Sequence, residues 1–367
     1  MRVALVIERF EPQGGVERVA WQVAHGLAAA GDEVHVVARK AAASASVQVH
    51  LVHVPSTWQP WRVAAFSEAA AQAAPRGAYD VVHSFSRTRH QDLFRAGGGS
   101  HAEYMERHYS ALGSTWRRFS PRHRVLLAIE RDVFADATQT IQCNSRMVQL
   151  ELSRRYAIPA ERLALIYNGV DLVRFHPSRR ATDGAALRAE CGTGDTQLIW
   201  LFVGSGFERK GLETALRALA GAAGDGLLWV AGNDDPKPWR RIADTLGVGA
   251  RVRWLGGGRD VASLYAAADA LILPTRYDAF ANVCLEAAAS GIPVVTSASN
   301  GAAEILGDGG IVVRDAGDAA AFARALGELA SRDERGARGA KARAISERYG
   351  WPQHIAEVRA LYARIAQ

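Results

Sequence analysis

The chain has 367 residues, 49% hydrophobic and 22% charged, with a net charge of +6 and a pI near 9.4. That length holds two ordinary domains, the balance is globular, and no apolar run is long enough to span a bilayer. Three scattered cysteines, Cys143, Cys191 and Cys284, exclude a zinc site or a disulfide frame, while the positive charge admits an anionic substrate, a membrane surface or nucleic acid.

The first eight residues read as a strand; they are too short and meet an acid too soon for a signal peptide, which points to the cytoplasm. Gly14-Gly15 follows and then a helix over 16–30, on which Val19, Val23, Ala24 and Leu27 recur at helical spacing before Gly31 ends it. Strands are expected near 33–38 and 47–54, a helix over 61–74 and a buried strand over 80–85. Helix 121–136, strand 138–143, helix 145–157 and strand 163–167 complete the rhythm of a parallel sheet covered by helices.

Asn168-Gly169-Val170-Asp171 is a turn signal, and Pro177 and a polar stretch to Thr196 follow. A second alternation begins at 198–203, with strands near 227–231, 251–255, 270–274 and 292–296. The chain is helical from about 317; Trp351-Pro352 breaks it, and a last amphipathic helix covers 353–366. The reading is therefore α/β, with domains over 1–172 and 173–352. Two open sheets facing a cleft would place ligands at the carboxyl ends of their strands.

Three loops at such ends can carry chemistry. Arg9 to Glu17 contains Gly14 and Gly15, which let a ligand approach a helix start. Val203 to Leu212 contains Gly204, Ser205, Gly206, Arg209, Lys210 and Gly211. Two adjacent cations there would bind a diphosphate and stabilise its charge as it leaves. The order fits neither a P-loop nor a dinucleotide fingerprint, and a solvated Arg-Lys pair is the bland alternative. The stretch from Tyr277 to Val295 reads as loop, short apolar helix, Gly stop and strand. Small residues leave the helix start at Phe280, Ala281, Asn282 and Val283 open to phosphate. Asp278 and Glu286 suit sugar or ribose hydroxyls, and no His or Asp cluster completes a metal site. His101 follows the Gly-rich 96–100 loop and is placed to touch a sugar or to serve structure. Residues 104–124 mix Arg and His with Tyr109, Leu112, Trp116 and Phe119, a composition that suits an anionic lipid interface.

These loops together resemble the family-4 retaining glycosyltransferases of GT-B fold, two Rossmann-like α/β domains facing a central cleft. The motifs match in order along nearly the whole chain: Gly14-Gly15-Val16-Glu17, Asn168-Gly169-Val170-Asp171, Gly204 to Gly211, and Asp278 to Glu286 with Ala287 and Gly291-Ile292-Pro293-Val294-Val295. Leu271 to Thr275 and Asn300 to Glu304 flank the last motif as in the family. The resemblance implies that Glu286 holds the donor ribose, Asp278 the donor sugar, and Arg209 with Lys210 the diphosphate. Ser205, Gly15 and backbone N–H groups over 280–283 would line the donor pocket, His101 would face the reacting sugar, and the segment 353–367 would cross back to the first domain.

Two departures stand out. The family has Glu at both ends of the eight-residue interval, where this chain has Asp278, and many members carry Arg where this chain has Ser205. The motif Gly-Ser-Gly-Phe-Glu-Arg-Lys-Gly resembles the branch that builds lipopolysaccharide core. The expectation is a retaining, metal-independent hexosyltransferase without a cofactor. It would use a nucleoside-diphosphate sugar, UDP-linked, and a glycan or glycolipid acceptor, with no nucleic acid. It would act in the cytoplasm, in peripheral contact with the inner face of the membrane. The alternatives are a GT-B epimerase and a catalytically silent sugar-nucleotide or glycan-binding partner.

Overall fold

The computed structural model describes residues 1–54, 58–108 and 120–367. The chain forms two compact units, Met1–Gly169 with Trp351–Gln367, and Val170–Gly350.

The first unit is built on β1 (Arg2–Phe10), β2 (Glu33–Ala41), β3 (Gln48–Leu51), β4 (Val81–Ser84), β5 (Leu93–Arg95), β6 (Thr140–Cys143) and β7 (Leu163–Leu165). They form a parallel sheet in the order β3-β2-β1-β4-β5-β6-β7. Val3 to Ile7 of β1 are all buried, as a central strand covered on both faces requires. The helices are α1 (Val16–Ala29), α2 (Gln59–Ala73), α3 (His101–His108), α4 (Pro121–Ala135) and α5 (Arg146–Tyr156).

One face of this sheet buries Val19, Val23 and Leu27 of α1 together with Ile355, Val358, Leu361 and Tyr362 of the last helix, Trp351–Ile365. Each such side chain contributes about 1.5–3 kcal/mol on burial. Gly26 admits the contact, because a Cβ there would lie 2.6 Å from Ile355 Cγ1. The other face packs Phe66 and Ala70 of α2 against Ala4, Val6, Val37 and Val82. Trp351 and Pro352 open the last helix instead of preceding it. A proline fits in the first turn, where an N–H has no partner within the helix.

The second unit carries β8 (Ile199–Val203), β9 (Leu227–Ala231), β10 (Val252–Gly256), β11 (Ala270–Leu273), β12 (Val294–Ser297) and β13 (Gly310–Val313). Its order, β10-β9-β8-β11-β12-β13, is again parallel. The helices are α6 (Asp183–Glu190), α7 (Leu212–Gly221), α8 (Lys237–Thr245), α9 (Val261–Ala267), α10 (Asn282–Ala289), α11 (Ala319–Glu328) and α12 (Arg332–Ser346). In both sheets the strand order runs outward from the centre and then restarts on the other side, between β1 and β4 and between β8 and β11. The loops after those central strands part there and open a crevice at their carboxyl ends.

The units divide at 169/170 and 350/351, a little before the 172/173 and 352/353 positions expected. Val170 donates its N–H to Tyr349 O at 2.9 Å and pairs with Gly350, and Arg343 reaches the Leu172 carbonyl, so 170–172 pack with the second unit. Among the described residues no helix is long and apolar enough to cross a membrane.

Candidate active site

The loops after β8 and β11 flank the switch point of the second sheet, and they are tied together. Gly211 has φ +77°, and a Cβ on it would lie 1.9 Å from the Pro274 carbonyl oxygen, so only glycine fits where the two loops touch. The Arg209 carbonyl accepts from the Arg276 N–H at 2.8 Å and from Thr275 Oγ1 at 3.2 Å. Gly204, at φ +134°, lets the Lys210 stem lie across the backbone; a Cβ there would meet Lys210 Cε at 2.6 Å.

This scaffold brings three of the expected residues together. Arg209 Nη1 donates to Asp278 Oδ2 at 3.1 Å and to Tyr277 O at 2.9 Å, and Lys210 Nζ donates to the same Asp278 oxygen at 3.3 Å. Burial pushes the Asp278 carboxyl up, but Lys210 and Arg209 outweigh it and hold it below its ordinary range. Asp278 is fixed from behind by its N–H to Ser299 O and by the Gly301 N–H to its own carbonyl. The result is a desolvated carboxylate with two cations on one oxygen, a ready seat for phosphate oxygens and hydroxyls.

Ser205 is exposed at the edge of the same loop, its Oγ accepting weakly from the Asn233 N–H at 3.4 Å. The N–H groups of Gly206 and Phe207 are committed to the Asp234 carboxylate, at 2.9 and 2.6 Å to Oδ2. Asp234 thus holds the loop in shape, leaving its cations to meet a ligand.

Glu286 stands half-buried on α10 and accepts from the Tyr265 hydroxyl at 3.0 Å. Phe280, Ala281, Asn282 and Val283 lead into that helix as expected, with Ala281 at its N-cap. One part of the expectation is corrected. The Ala281 N–H is not open to a ligand, because Asn300 Oδ1 accepts it at 3.1 Å and also takes the Ala302 N–H at 3.0 Å. Asn300 is 1% exposed and pins the loop that carries Asp278.

The other expected residues lie in the first unit. Gly14 and Gly15 form the turn from β1 into α1. His101, directly after the 96–100 turn, is the first residue of α3 and is 6% exposed. The carboxylate of Glu130 on α4 seats it by accepting the His101 N–H at 2.5 Å, the Ala102 N–H at 3.3 Å, Arg87 Nη1 at 2.9 Å and the Tyr156 hydroxyl. His101 Nε2 lies 2.8 Å from His123 Nδ1. Burial, with Arg87, His123 and Arg122 adding to it, brings His101 down to about 3, so its ring is neutral. It lines a cavity of about 370 Å³ with Glu8, Ser86, Arg87, Tyr104 and Arg122; Gly14 and Gly15 do not line that cavity.

Sequence reasoning missed Tyr265, Asp234, Glu130 and His123, and it named Asn300 in the closing loop without its role as acceptor of the Ala281 N–H. Only the apolar helix around Glu286 hinted that a buried partner was needed. Of the basic and aromatic stretch 104–124, residues 109–119, including Tyr109, Leu112, Trp116 and Phe119, lie outside the described residues.

Two family models match the chain: Glycosyltransferase Family 4 over residues 13–174 and Glycosyl transferases group 1 over residues 185–345. The lipopolysaccharide glucosyltransferase WaaG of Escherichia coli K12 is 28% identical over 316 residues, covering 84% of this chain and 83% of the relative. A crystal structure of WaaG, a glycosyltransferase involved in lipopolysaccharide biosynthesis, superposes with a TM-score of 0.84 at 26% identity, over 97% of this chain and 99% of the other. The Anabaena protein Alr3699/HepE in complex with UDP and glucose shares the fold, with a TM-score of 0.78 at 18% identity, over 99% of this chain and all of the other. The ordered loops, the paired doubly wound sheets and these matches agree: the chain is a glycosyltransferase of GT-B fold and belongs to the group 1, family 4 glycosyltransferases.

Proposed function

We propose that this glycosyltransferase moves a sugar from a UDP-linked donor to a hydroxyl of a bacterial surface glycan or glycolipid, such as lipopolysaccharide core, with retention at the anomeric carbon. The observation that carries this reading is the meeting of Arg209 and Lys210 on Asp278 at the switch point of the second sheet. Two similar proteins support it: a lipopolysaccharide glucosyltransferase and a protein of the same fold that holds UDP and glucose.

In the proposed reaction the bond between the anomeric carbon and the phosphate oxygen breaks as Arg209 and Lys210 take up the charge on the leaving diphosphate. The acceptor oxygen bonds to that carbon from the same face, and its proton passes to the departing phosphate. Two cations at the leaving group provide what a divalent ion would otherwise provide, so the reaction is proposed to need no metal and no cofactor. Asp278 would exchange part of its hold on the cations for the sugar hydroxyls, and Glu286, oriented by Tyr265, would take the ribose. His101, neutral, would donate or accept one hydrogen bond at the sugar without adding charge. The roles of Ser205, Gly14, Gly15 and the start of α10 as donor-pocket walls belong to the same proposal.

Peripheral contact with the inner face of the membrane is proposed as well. Trp58 and Trp61 are 52% and 66% exposed. They line an apolar groove of about 530 Å³ with Arg89, Arg124 and Arg131 beside them, a pairing of aromatic and cationic groups that suits anionic lipid. Sedimentation with vesicles that shows no preference for anionic lipid would remove this part.

The main reading is tested by screening nucleotide-sugars for thermal stabilisation, since a ligand that binds only the folded state raises its apparent stability. A UDP-sugar should give the largest shift, and Lys210→Ala should abolish it. A panel that leaves the protein unshifted would overturn the donor assignment.

A further inference from the structure

At the amino ends of the second unit's strands, opposite the Arg209 and Asp278 loops, lies a cavity of about 760 Å³. It is bounded where the chain enters β8, β11 and β12, at Leu198, Asp269 and Pro293, and by the first turn of α12. Three guanidinium groups line it, those of Arg180, Arg332 and Arg335.

The buried acid beside them is already committed. Asp269 Oδ2 accepts from Arg188 Nη2 at 2.6 Å and from the Ile199 N–H at 2.9 Å, and Oδ1 accepts from Arg180 Nη2 at 2.7 Å. Arg335 directs Nη1 to the carbonyls of Leu329 and Ala330, each at 2.7 Å. Its remaining nitrogens have no hydrogen-bond partner among the described residues. The Arg332 side chain forms no ion pair or hydrogen bond among the described residues. Burial draws the Arg335 guanidinium down; Asp269 opposes this, while Arg180, Arg332 and Arg188 add to it. Arg180, Arg332 and Arg335 therefore lie close enough to repel one another around one hollow, whose lining also carries the carboxylates of Asp195, Asp225 and Asp269, the last already engaged by Arg188 and Arg180. The lining also offers a hydroxyl and an amide, from Thr196 and Gln197.

We propose that this cavity is a second ligand site, which binds a phosphate-bearing small molecule with its phosphate held by Arg180, Arg332 and Arg335. Planar guanidinium forks match phosphate oxygens in pairs. A hollow of this size admits a metabolite and not a folded partner. Thr196 and Gln197 suit the hydroxyls of such a molecule. The site includes neither Arg209 nor Lys210; Tyr265, whose hydroxyl holds Glu286, lines it as well.

Calorimetric titration with inorganic pyrophosphate tests this, performed on the full chain carrying Lys210→Ala so that the proposed donor cations are weakened. One saturable event should remain. Arg332→Ala, which loses no internal partner, should weaken that event about tenfold or more, and Arg332→Glu should abolish it. Absence of saturable binding in the Lys210→Ala protein would overturn the proposal, as would an unchanged Kd in both Arg332 variants. In the protein with Lys210 intact, an event that depends on Lys210 and not on Arg332 reports the donor site separately, so failure of one assignment is distinguishable from failure of the other.

Discussion

Replacing Lys210 by Ala is the most direct test of the cation pair. Lys210 is 8% exposed, and its Nζ lies 3.3 Å from Asp278 Oδ2. Two unit charges at that separation attract by about 5 kcal/mol gross at an effective dielectric near 20, and desolvation removes much of this. Asp278 keeps Arg209 at 3.1 Å, so the variant does not strand a buried carboxylate. The expected stability loss is that of one charged hydrogen bond, about 1.5–3 kcal/mol, below the about 3–5 kcal/mol for an orphaned buried charge. The charge that is lost in the ground state is also lost at the leaving diphosphate. By analogy with removal of one fixed donor at a developing anion, kcat should fall about 100- to 1,000-fold, or about 2.7–4 kcal/mol. The assay is acceptor-dependent release of nucleoside diphosphate, run beside thermal unfolding of the same preparation. A folded Lys210→Ala protein that turns over at the unsubstituted rate would refute the reasoning.

The remaining predictions follow from neighbouring contacts. Glu286→Ala should cut turnover by orders of magnitude while the protein stays folded, and Tyr265→Phe, which removes the hydroxyl that orients Glu286, should raise the donor KM more than it lowers kcat; unaltered kinetics in both would remove Glu286 from the site. Asp278→Asn removes the anion that competes for both cations, so it should tighten binding of the free nucleoside diphosphate while slowing transfer, and weaker calorimetric affinity would contradict this. Activity should persist in excess chelator, and a strict requirement for a divalent ion would overturn the metal-free proposal. Stability should fall with acid well before the carboxylates titrate. Burial depresses His83 well below, His101 to about 3 and His354 to about 4, from an ordinary 6.5. The unfolded chain therefore takes up protons that the folded chain refuses. Their contribution is complete above pH 6.5 and is lost downward from there, by about 1.4 kcal/mol per pH unit for each histidine. Urea unfolding between pH 7.5 and 5 should show that slope, and His354→Gln should reduce it; a flat profile would refute the burial argument.

Strands such as β1 and β8 were legible because they are buried on both faces and read as unbroken apolar runs. The loops after them were legible because glycines, cations and acids cluster where a helix must start. What escaped lacks a local signal. β5 is three residues long and includes Arg95, α6 is polar enough to pass for linker, and α3 begins directly after a glycine-rich turn. β13 opens on Gly310, which weakens any strand pattern. The supporting roles escaped for another reason. Asp234 shapes the loop after β8, Tyr265 orients Glu286, Asn300 takes the Ala281 N–H and Glu130 seats His101. Each acts across a gap in sequence that only the folded topology closes. Even the pairing of Asp278 with Arg209 and Lys210, central to the site, joins two loops that sequence placed in separate motifs.

The last helix has a consequence for how the protein is made. Ile355, Val358, Leu361 and Tyr362 fill the core of the first unit, yet a ribosome reaches them only after all of Val170–Gly350 has been synthesised. The amino-terminal sheet must therefore wait, with the outer face of α1 uncovered, while the middle of the chain can already complete its own core. A released chain cut at Gly350 would present a finished second unit joined to an unfinished first one. During synthesis, the hydrophobic surface in need of shielding belongs to the part made earliest.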